Sequence, residues 1–228
     1  MATLSHEYQQ EWHKNHPGYH NRHHVSIISE LGGVCKNCGE TEKEFLTIDH
    51  VSDDGFIQRN QLHSNSVIYR QILSDIQSGK FQILCFNCNI VKALAPIQRF
   101  NFVEGGKECK SCDRSLSSDA FRKRDGGRWL RTTCKDCESD SRRLVKVQVF
   151  ALFGNVCTCC SEKRTECLSL DHVEEDGSRL REEGIHATGY NLYRRILNGT
   201  VSADGLQLMC FNCNFSKHIG GCCIHRRS

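Results

Sequence analysis

The chain has 228 residues, a net charge of +3 and an aromatic content of only 8%. With a mean hydropathy of −0.50, this composition excludes one large apolar core and predicts two small lobes that metal ions brace. Sixteen cysteines occur without an apolar signal segment or a run of about eighteen apolar residues, which excludes a secreted disulfide framework and a membrane-spanning protein and predicts an intracellular zinc protein.

Residues 1–24 form a predicted polar arm. Eight of the twelve histidines lie in the first half of the chain, and five of them cluster in this arm beside Trp12 and Tyr19. The ordinary interpretation is a solvated polar helix and loop around Pro17-Gly18. The alternative is an arm that lies along nucleic acid. The clustered histidines are His13, His16, His20, His23 and His24.

The first lobe is predicted over residues 25–106. Its segment "FLTIDHV" alternates in polarity and predicts a strand that ends at Asp49-His50. Neighbouring residues of a regular strand point to opposite faces, so we expect a bend or bulge that brings both side chains to one site. The following residues, 52–66, carry charge and glycine without a period and predict an exposed loop.

A helix, a second strand and a second helix are expected to complete this lobe. "VIYRQILSDIQSG" places three isoleucines on one face and predicts a short helix that stops at Gly79. "FQILC" predicts the second strand, and the chain after Cys88 is expected to turn helical with Asn89 in its first turn. Cys-x-x-Cys pairs at Cys35 and at Cys85 flank these elements, and such pairing favours zinc.

Residues 107–140 predict a zinc ribbon between the lobes. Two Cys-x-x-Cys pairs some twenty residues apart are typical of a fold in which four thiolates close a tetrahedron. The intervening "FRKRDGGRWLR" carries Trp129 among basic side chains, which suits phosphate contacts and base stacking, although a purely solvated hairpin is the alternative. The predicted zinc ligands are Cys109, Cys112, Cys134 and Cys137, and the basic side chains are Arg122, Lys123, Arg124, Arg128 and Arg131.

The second lobe, predicted over residues 141–228, repeats the first. "LSLDHV" matches "LTIDHV" at an offset of 122 residues, and "QLMCFNCN" matches "QILCFNCN" at an offset of 125, so three residues are inserted between them. The loop of this copy is expected over residues 174–189. Cys167 aligns with Phe45 and is expected in the core. The tail "GGCCIHRR", with Cys222 and Cys223, is interpreted as an exposed tail, with a partial metal site as the alternative, and Cys159 has no assigned role.

This arrangement of a strand with Asp-His, a second strand and a helix with Asn closely resembles the HNH, or ββα-metal, endonucleases. It looks most like the zinc-braced branch that includes phage recombination endonuclease VII and some rare-cutting restriction enzymes. The resemblance covers most of residues 31–95 and 107–218. It implies an α+β protein in which two zinc-stabilised ββα-metal nuclease domains are linked by a zinc ribbon.

The resemblance also implies roles for individual residues. Asp49 with Asn89, and Asp171 with Asn214, would each hold one catalytic Mg²⁺ or Mn²⁺ ion, for which carboxylate and amide oxygens are suitable ligands. His50 and His172 would be general bases that deprotonate the attacking water. Together with the ribbon, two further four-cysteine sites would bring the structural zinc ions to three. Their ligands would be Cys35, Cys38, Cys85 and Cys88 in the first lobe and Cys157, Cys160, Cys210 and Cys213 in the second.

The expected function is hydrolysis of double-stranded DNA by one chain that carries two active centres and works as a monomeric pseudo-dimer. A homing or phage-type endonuclease is the first interpretation and a restriction enzyme the second, in the cytoplasm or nucleoid of a prokaryotic or phage-infected cell. The rival is a tandem zinc-finger protein that binds DNA or serves as a scaffold without catalysis. A single Asp-His dipeptide would not decide between them, but the rival leaves the recurrence of Asp, His and Asn in both copies unexplained.

The charge distribution predicts where DNA is held. Residues 1–106 carry 9 Lys+Arg against 11 Asp+Glu, a balance of −2, whereas residues 107–228 carry 21 against 16, a balance of +5. The ribbon and the second lobe therefore offer the polyanion surface. Four further arginines are expected near the cleaved phosphates: Arg59, Arg70, Arg194 and Arg195.

Overall fold

A computed structural model describes residues 22–52, 55, 65–94, 99–174 and 189–227 of the chain. Within these ranges the protein is mixed α+β, and its strands form four two-stranded antiparallel sheets. The predicted α+β class is therefore confirmed. The elements in chain order are α1 (Arg22–Glu30), β1 (Leu46–His50), α2 (Asn65–Ser74), β2 (Phe81–Cys85), α3 (Phe86–Ala93), β3 (Phe102–Glu108), β4 (Ser115–Leu116), β5 (Phe121–Arg124), β6 (Trp129–Cys134), α4 (Lys135–Ala151), β7 (Leu168–His172), α5 (Gly189–Leu197), β8 (Leu206–Cys210) and α6 (Phe211–Gly220).

The chain divides into two compact units, residues 1–93 with 211–228 and residues 94–210. In the first unit, β1 pairs with β2, and one face of this hairpin packs against α1 and α2. Its small apolar core centres on Ile27, Ile72 and Phe81, all at most 5% exposed. The predicted helix is confirmed, although it begins earlier than expected and continues after Ser74 as a 3-10 turn. Gly79 ends that turn in the left-handed region at φ 73°, a conformation that glycine adopts without steric cost.

The first unit also contains a contact between the two helices that carry the "FNCN" segments. The backbone N–H of Asn87 donates to Oδ1 of Asn212 at 3.0 Å, and the backbone N–H of Asn212 donates to Oδ1 of Asn87 at 3.2 Å. The rings of Phe86 and Phe215 lie 4.0 Å apart between their centroids. Asn87 and Asn212 occupy the same position in the two repeats, and each accepts a hydrogen bond from the backbone N–H of the other, as in a two-fold symmetric interface.

The second unit begins with the ribbon. Its two hairpins, β3–β4 and β5–β6, enclose a core of the ribbon cysteines with Leu116, Ala120 and Phe121. The 17-residue helix α4 follows directly, with Asp136 and Glu138 in its first turn, where carboxylates interact favourably with the helix dipole. Asp136 is buried at 2% exposure and accepts a bond from Arg114 Nη2 at 2.8 Å. The ribbon is therefore braced by an ion pair as well as by its cysteines.

Helix α4 then leads into the second copy of the hairpin. Its end packs on α5, where the rings of Phe150 and Tyr193 lie 5.6 Å apart between centroids. Strand β7 pairs with β8 from Leu168 opposite Cys210 to His172 opposite Leu206. Cys167, which precedes β7, is fully buried, so its expected place in the core is confirmed.

The structure changes two sequence expectations and leaves others outside the described residues. The expected bulge at the Asp-His pairs is wrong, because Asp49 pairs with Gln82 and His50 with Phe81 in unbroken register, and β7 with β8 does the same. The helix that carries Asn89 begins earlier than expected, directly after β2, which makes Asn89 its fourth residue. Finally, the arm over residues 1–21 and most of the two predicted loops lie outside the described residues. In the described part of the chain, no helix is long and apolar enough to cross a membrane.

Candidate metal and catalytic centres

Twelve cysteines gather into the three groups that the sequence predicts, and each group could hold a zinc ion. All sixteen cysteines are free of disulfide bonds. A tetrahedron with Zn–S bonds of about 2.3 Å has S···S edges of about 3.8 Å. The Sγ atoms of Cys38 and Cys85 lie 3.7 Å apart, and those of Cys160 and Cys210 lie 3.6 Å apart. The groups are Cys35, Cys38, Cys85 and Cys88; Cys109, Cys112, Cys134 and Cys137; and Cys157, Cys160, Cys210 and Cys213.

The thiols of these groups differ in how easily they ionise. Burial opposes the charge on Cys35, but backbone N–H groups outweigh burial and lower its pKa to about 7. The same balance lowers the pKa of Cys109 to about 6. Burial raises the pKa of Cys38 to about 11 and that of Cys137 to about 12. In the first-lobe and ribbon groups some thiols thus ionise more readily and others less readily than an ordinary cysteine, and a divalent cation would compensate the charge of the full set.

The structure also gathers a fourth group that the sequence did not predict as a site. It consists of Cys159, Cys213, Cys223 and His225, so Cys213 belongs to two groups. The interpretation of the C-terminal tail as exposed is therefore wrong for Cys223, which is 2% exposed, although Cys222 is exposed. In the sequence, the adjacent Cys222 and Cys223 with the nearby His225 are the signal for the alternative interpretation, a partial metal site in the tail.

Asp49 lies at the end of β1 on the face that meets α3. It is 8% exposed. Its Oδ2 accepts hydrogen bonds from Gln82 Nε2 and from Lys92 Nζ, each at 2.7 Å. Lys92 Nζ also donates to the backbone carbonyl of His50. Neither Lys92 nor Gln82 is among the predicted site residues, although both recur, as Lys217 and Gln207, at the same offset of 125 residues as the closing cysteines.

His50 lies on the other face of the hairpin. Its ring contacts Phe81 edge-on, with the centroids 5.0 Å apart. Gly55 packs closely against the same ring, since a Cβ at this position would lie 2.7 Å from Nδ1. Only glycine fits there without moving the imidazole. Gly55 recurs in the second copy as Gly177, which lies outside the described residues.

The second copy repeats the first at its strand end. Asp171 Oδ2 accepts a hydrogen bond from Gln207 Nε2 at 2.8 Å, as Asp49 does from Gln82. Asp171 is half-buried and Lys217 is 7% exposed. Asn89 and Asn214 are the fourth residues of α3 and α6 and are half-buried.

The basic side chains of the ribbon fall into two sets. Arg122 and Arg131 both bind Glu138, at 2.9 Å and 3.1 Å. Lys123, Arg124 and Arg128 make no ion pair within the described ranges. Trp129 lies opposite Arg124 in the β5–β6 hairpin and is 68% exposed. Of the arginines expected near the scissile phosphates, Arg70, Arg194 and Arg195 lie on α2 and α5, whereas Arg59 falls outside the described residues.

Comparison of the chain with protein-family models, with curated proteins and with solved structures finds no match in any of the three.

Proposed function

We propose that the protein is a metal-dependent DNA endonuclease of the HNH type, with one phosphodiester-hydrolysing centre in each copy of the hairpin. The observation that carries this proposal is the recurrence of one constellation at one strand register. In both copies the first strand ends with an aspartate followed by a histidine, and a glutamine of the second strand lies opposite the aspartate. The helix after the second strand carries an asparagine and a lysine in both copies. A structural zinc group requires none of these side chains.

Two oxygen donors per copy suit the divalent ion that we propose for each centre. Asp49 with Asn89, and Asp171 with Asn214, would hold Mg²⁺ or Mn²⁺, which when bound neutralises the developing charge on the phosphate and its leaving oxygen. Lys92 already neutralises Asp49 through Oδ2. On this proposal its ammonium group turns to a phosphate oxygen when the ion and DNA bind.

His50 would act as the general base. Imidazole is the side chain whose charge ordinarily changes between pH 5 and 8, so it accepts a proton from water at neutral pH. Phe81 and Gly55 hold the ring on two sides, which fixes its direction. Because His50 is the last residue of β1, a phosphate at the end of the β1–β2 hairpin could contact His50 on one face and Asp49 on the other.

A tandem zinc-finger protein that binds DNA without cleaving it is the second candidate. The ion pair between Lys92 and Asp49 favours it, because a carboxylate that a lysine already neutralises is a weaker ligand for a cation. The two candidates differ in one outcome. Both bind DNA, but only the endonuclease breaks it when Mg²⁺ is added.

The experiment incubates the zinc-loaded protein with supercoiled plasmid, with and without added Mg²⁺ or Mn²⁺. We expect open-circular and linear DNA only in the presence of the added ion. Omitting Mg²⁺ is a better control than EDTA alone, because EDTA also removes structural zinc. The matched control is the double variant His50→Ala with His172→Ala, which should bind DNA and leave it intact. Binding by the wild type without cleavage under every ion tested would establish the second candidate.

A further inference from the structure

The C-terminal tail folds back onto the first unit and brings two ligand atoms to Cys213. Nδ1 of His225 lies 3.6 Å from Sγ of Cys213 and 3.5 Å from Sγ of Cys223. In a tetrahedral site with Zn–S bonds of about 2.3 Å and Zn–N bonds of about 2.0–2.1 Å, the S···N edges are about 3.6 Å. Both distances therefore match the edges of a tetrahedral zinc site.

Several contacts outside the ligand atoms hold the tail in this position. Ser216 Oγ accepts a hydrogen bond from the backbone N–H of Ile224 at 3.0 Å. Arg227 binds the carboxylate of Glu44 and donates to the backbone carbonyl of Ser216. The ring of Phe45 packs edge-on against His225, 5.2 Å between centroids. The ligands thus belong to an ordered, partly buried segment.

The first copy shows what this site replaces. The residue that aligns with Cys159 is Asn37, and its Nδ2 donates a hydrogen bond to Sγ of Cys88 at 3.2 Å. Cys88 is the counterpart of Cys213. In the first copy an amide thus contacts the closing sulfur. In the second copy the aligned residue is Cys159, whose thiol could bind a metal ion together with Cys213 and the tail residues Cys223 and His225.

We propose that the second copy holds a binuclear zinc cluster in which the Cys213 thiolate bridges the two ions. One ion would take Cys157, Cys160 and Cys210, and the other would take Cys159, Cys223 and His225, each with Cys213 as its fourth ligand. Six thiolates and one imidazole serve two ions, so each ion has the four ligands of a closed structural site. The second ion fastens the C-terminal tail, and the chain carries four zinc ions instead of three. The cluster is independent of whether the protein cleaves DNA.

Metal content by native mass spectrometry and elemental analysis tests the number of ions. We expect four zinc ions per full-length chain, and three in each of Cys223→Ser, His225→Ala and Cys159→Asn. The last variant gives the second copy the asparagine of the first and so keeps a donor beside Cys213. Cys222→Ser, a change at the exposed neighbour, is the matched control and should retain four. Three ions in the wild type, or four in all three ligand variants, would overturn the proposal.

Substitution with ¹¹³Cd tests the bridge itself. The β-protons of Cys213 should couple to two cadmium nuclei in the full-length protein and to one in His225→Ala. Coupling to a single cadmium in the wild type would show that Cys213 serves one ion and would contradict the cluster. Because this measurement uses the intact wild type, it remains decisive even where a variant fails to fold.

Discussion

The two copies of the hairpin share their strand register and their Asp-Gln pair but differ around the closing cysteine. In the first copy Cys88 accepts a hydrogen bond from Asn37, and among the described residues it belongs to one four-cysteine group. In the second copy Cys213 belongs to two groups that could each hold a metal ion. Both copies therefore keep the strand-end residues as well as the four-cysteine group, whereas the residues around the closing cysteine differ. A constraint common to both copies thus lies at the strand end in addition to the cysteines.

The largest expected effect comes from breaking one four-cysteine group. Cys85→Ser should unfold the first copy, because a structural zinc site contributes on the order of 10 kcal/mol of apparent binding free energy and the apolar core here is small. Circular dichroism melting with zinc analysis measures both losses. Cys222→Ser is the control. Unchanged melting of Cys85→Ser with full zinc content would contradict a structural role for this group.

A smaller effect is expected from the lysine that binds the first aspartate. Lys92→Met should destabilise the protein by about 1–3 kcal/mol, because it removes a hydrogen-bonded partner from a nearly buried carboxylate. If Asp49 holds Mg²⁺, the same variant should need less Mg²⁺ for half-maximal nicking, provided that cleavage persists. Urea unfolding and a Mg²⁺ titration measure the two effects, and Lys217→Met is the matched variant in the second copy. A lysine that only stabilises the fold would leave the Mg²⁺ requirement unchanged.

Packing beside the base gives a test that leaves all proposed catalytic groups in place. Gly55→Ala should displace the His50 ring, since the added methyl would lie 2.7 Å from Nδ1. We expect roughly a tenfold to hundredfold loss of cutting at the first centre, because a displacement of about 1 Å can reduce catalysis to that extent. Strand-specific cleavage of an end-labelled duplex measures the loss. Equal cleavage of both strands by this variant would mean that the position of His50 does not matter.

The smallest expected effect is on binding through the ribbon. Exchanging Lys123, Arg124 and Arg128 for glutamine should weaken binding to all sequences alike and reduce the salt slope by about 0.9 for each phosphate that the variant no longer neutralises. Exchanging Arg122 and Arg131, which bind Glu138, should change the slope less. Fluorescence titrations of labelled duplex across a range of salt concentrations compare the two sets. Equal slopes in the first variant and the wild type would place the DNA elsewhere, most simply on residues 1–24.

Much of this architecture could be predicted because the sequence presents it twice. The strands that end at His50 and His172 and the two four-cysteine groups of the repeat follow from recurrence in register, whereas the ribbon group follows from the spacing of its two Cys-x-x-Cys pairs. The described residues confirm these strands and groups. Contacts between segments distant in sequence could not be predicted in the same way. The bond of Lys92 to Asp49 depends on the direction in which α3 leaves β2, and periodicity does not encode that direction.

The errors have physical causes too. A bulge would be needed only if Asp49 and His50 faced one site, but the hairpin keeps regular pairing and places the two side chains on opposite faces. The tail is the second error, since Cys223 is buried instead of exposed. In the fold, Ser216 and Glu44 bind it through hydrogen bonds and an ion pair, and neither partner is adjacent to it in sequence.

Single histidine variants on supercoiled plasmid give the most direct test of the proposal that each copy is a catalytic centre. With Mg²⁺ the wild type should produce linear DNA, whereas His50→Ala and His172→Ala should each stop at the open circle. On an end-labelled duplex each variant should cut one strand at the wild-type rate and the other about 10²–10⁴-fold more slowly. The slowly cut strand should differ between the two variants. Linear DNA formed at the wild-type rate by either variant would show that its copy is not a nuclease centre.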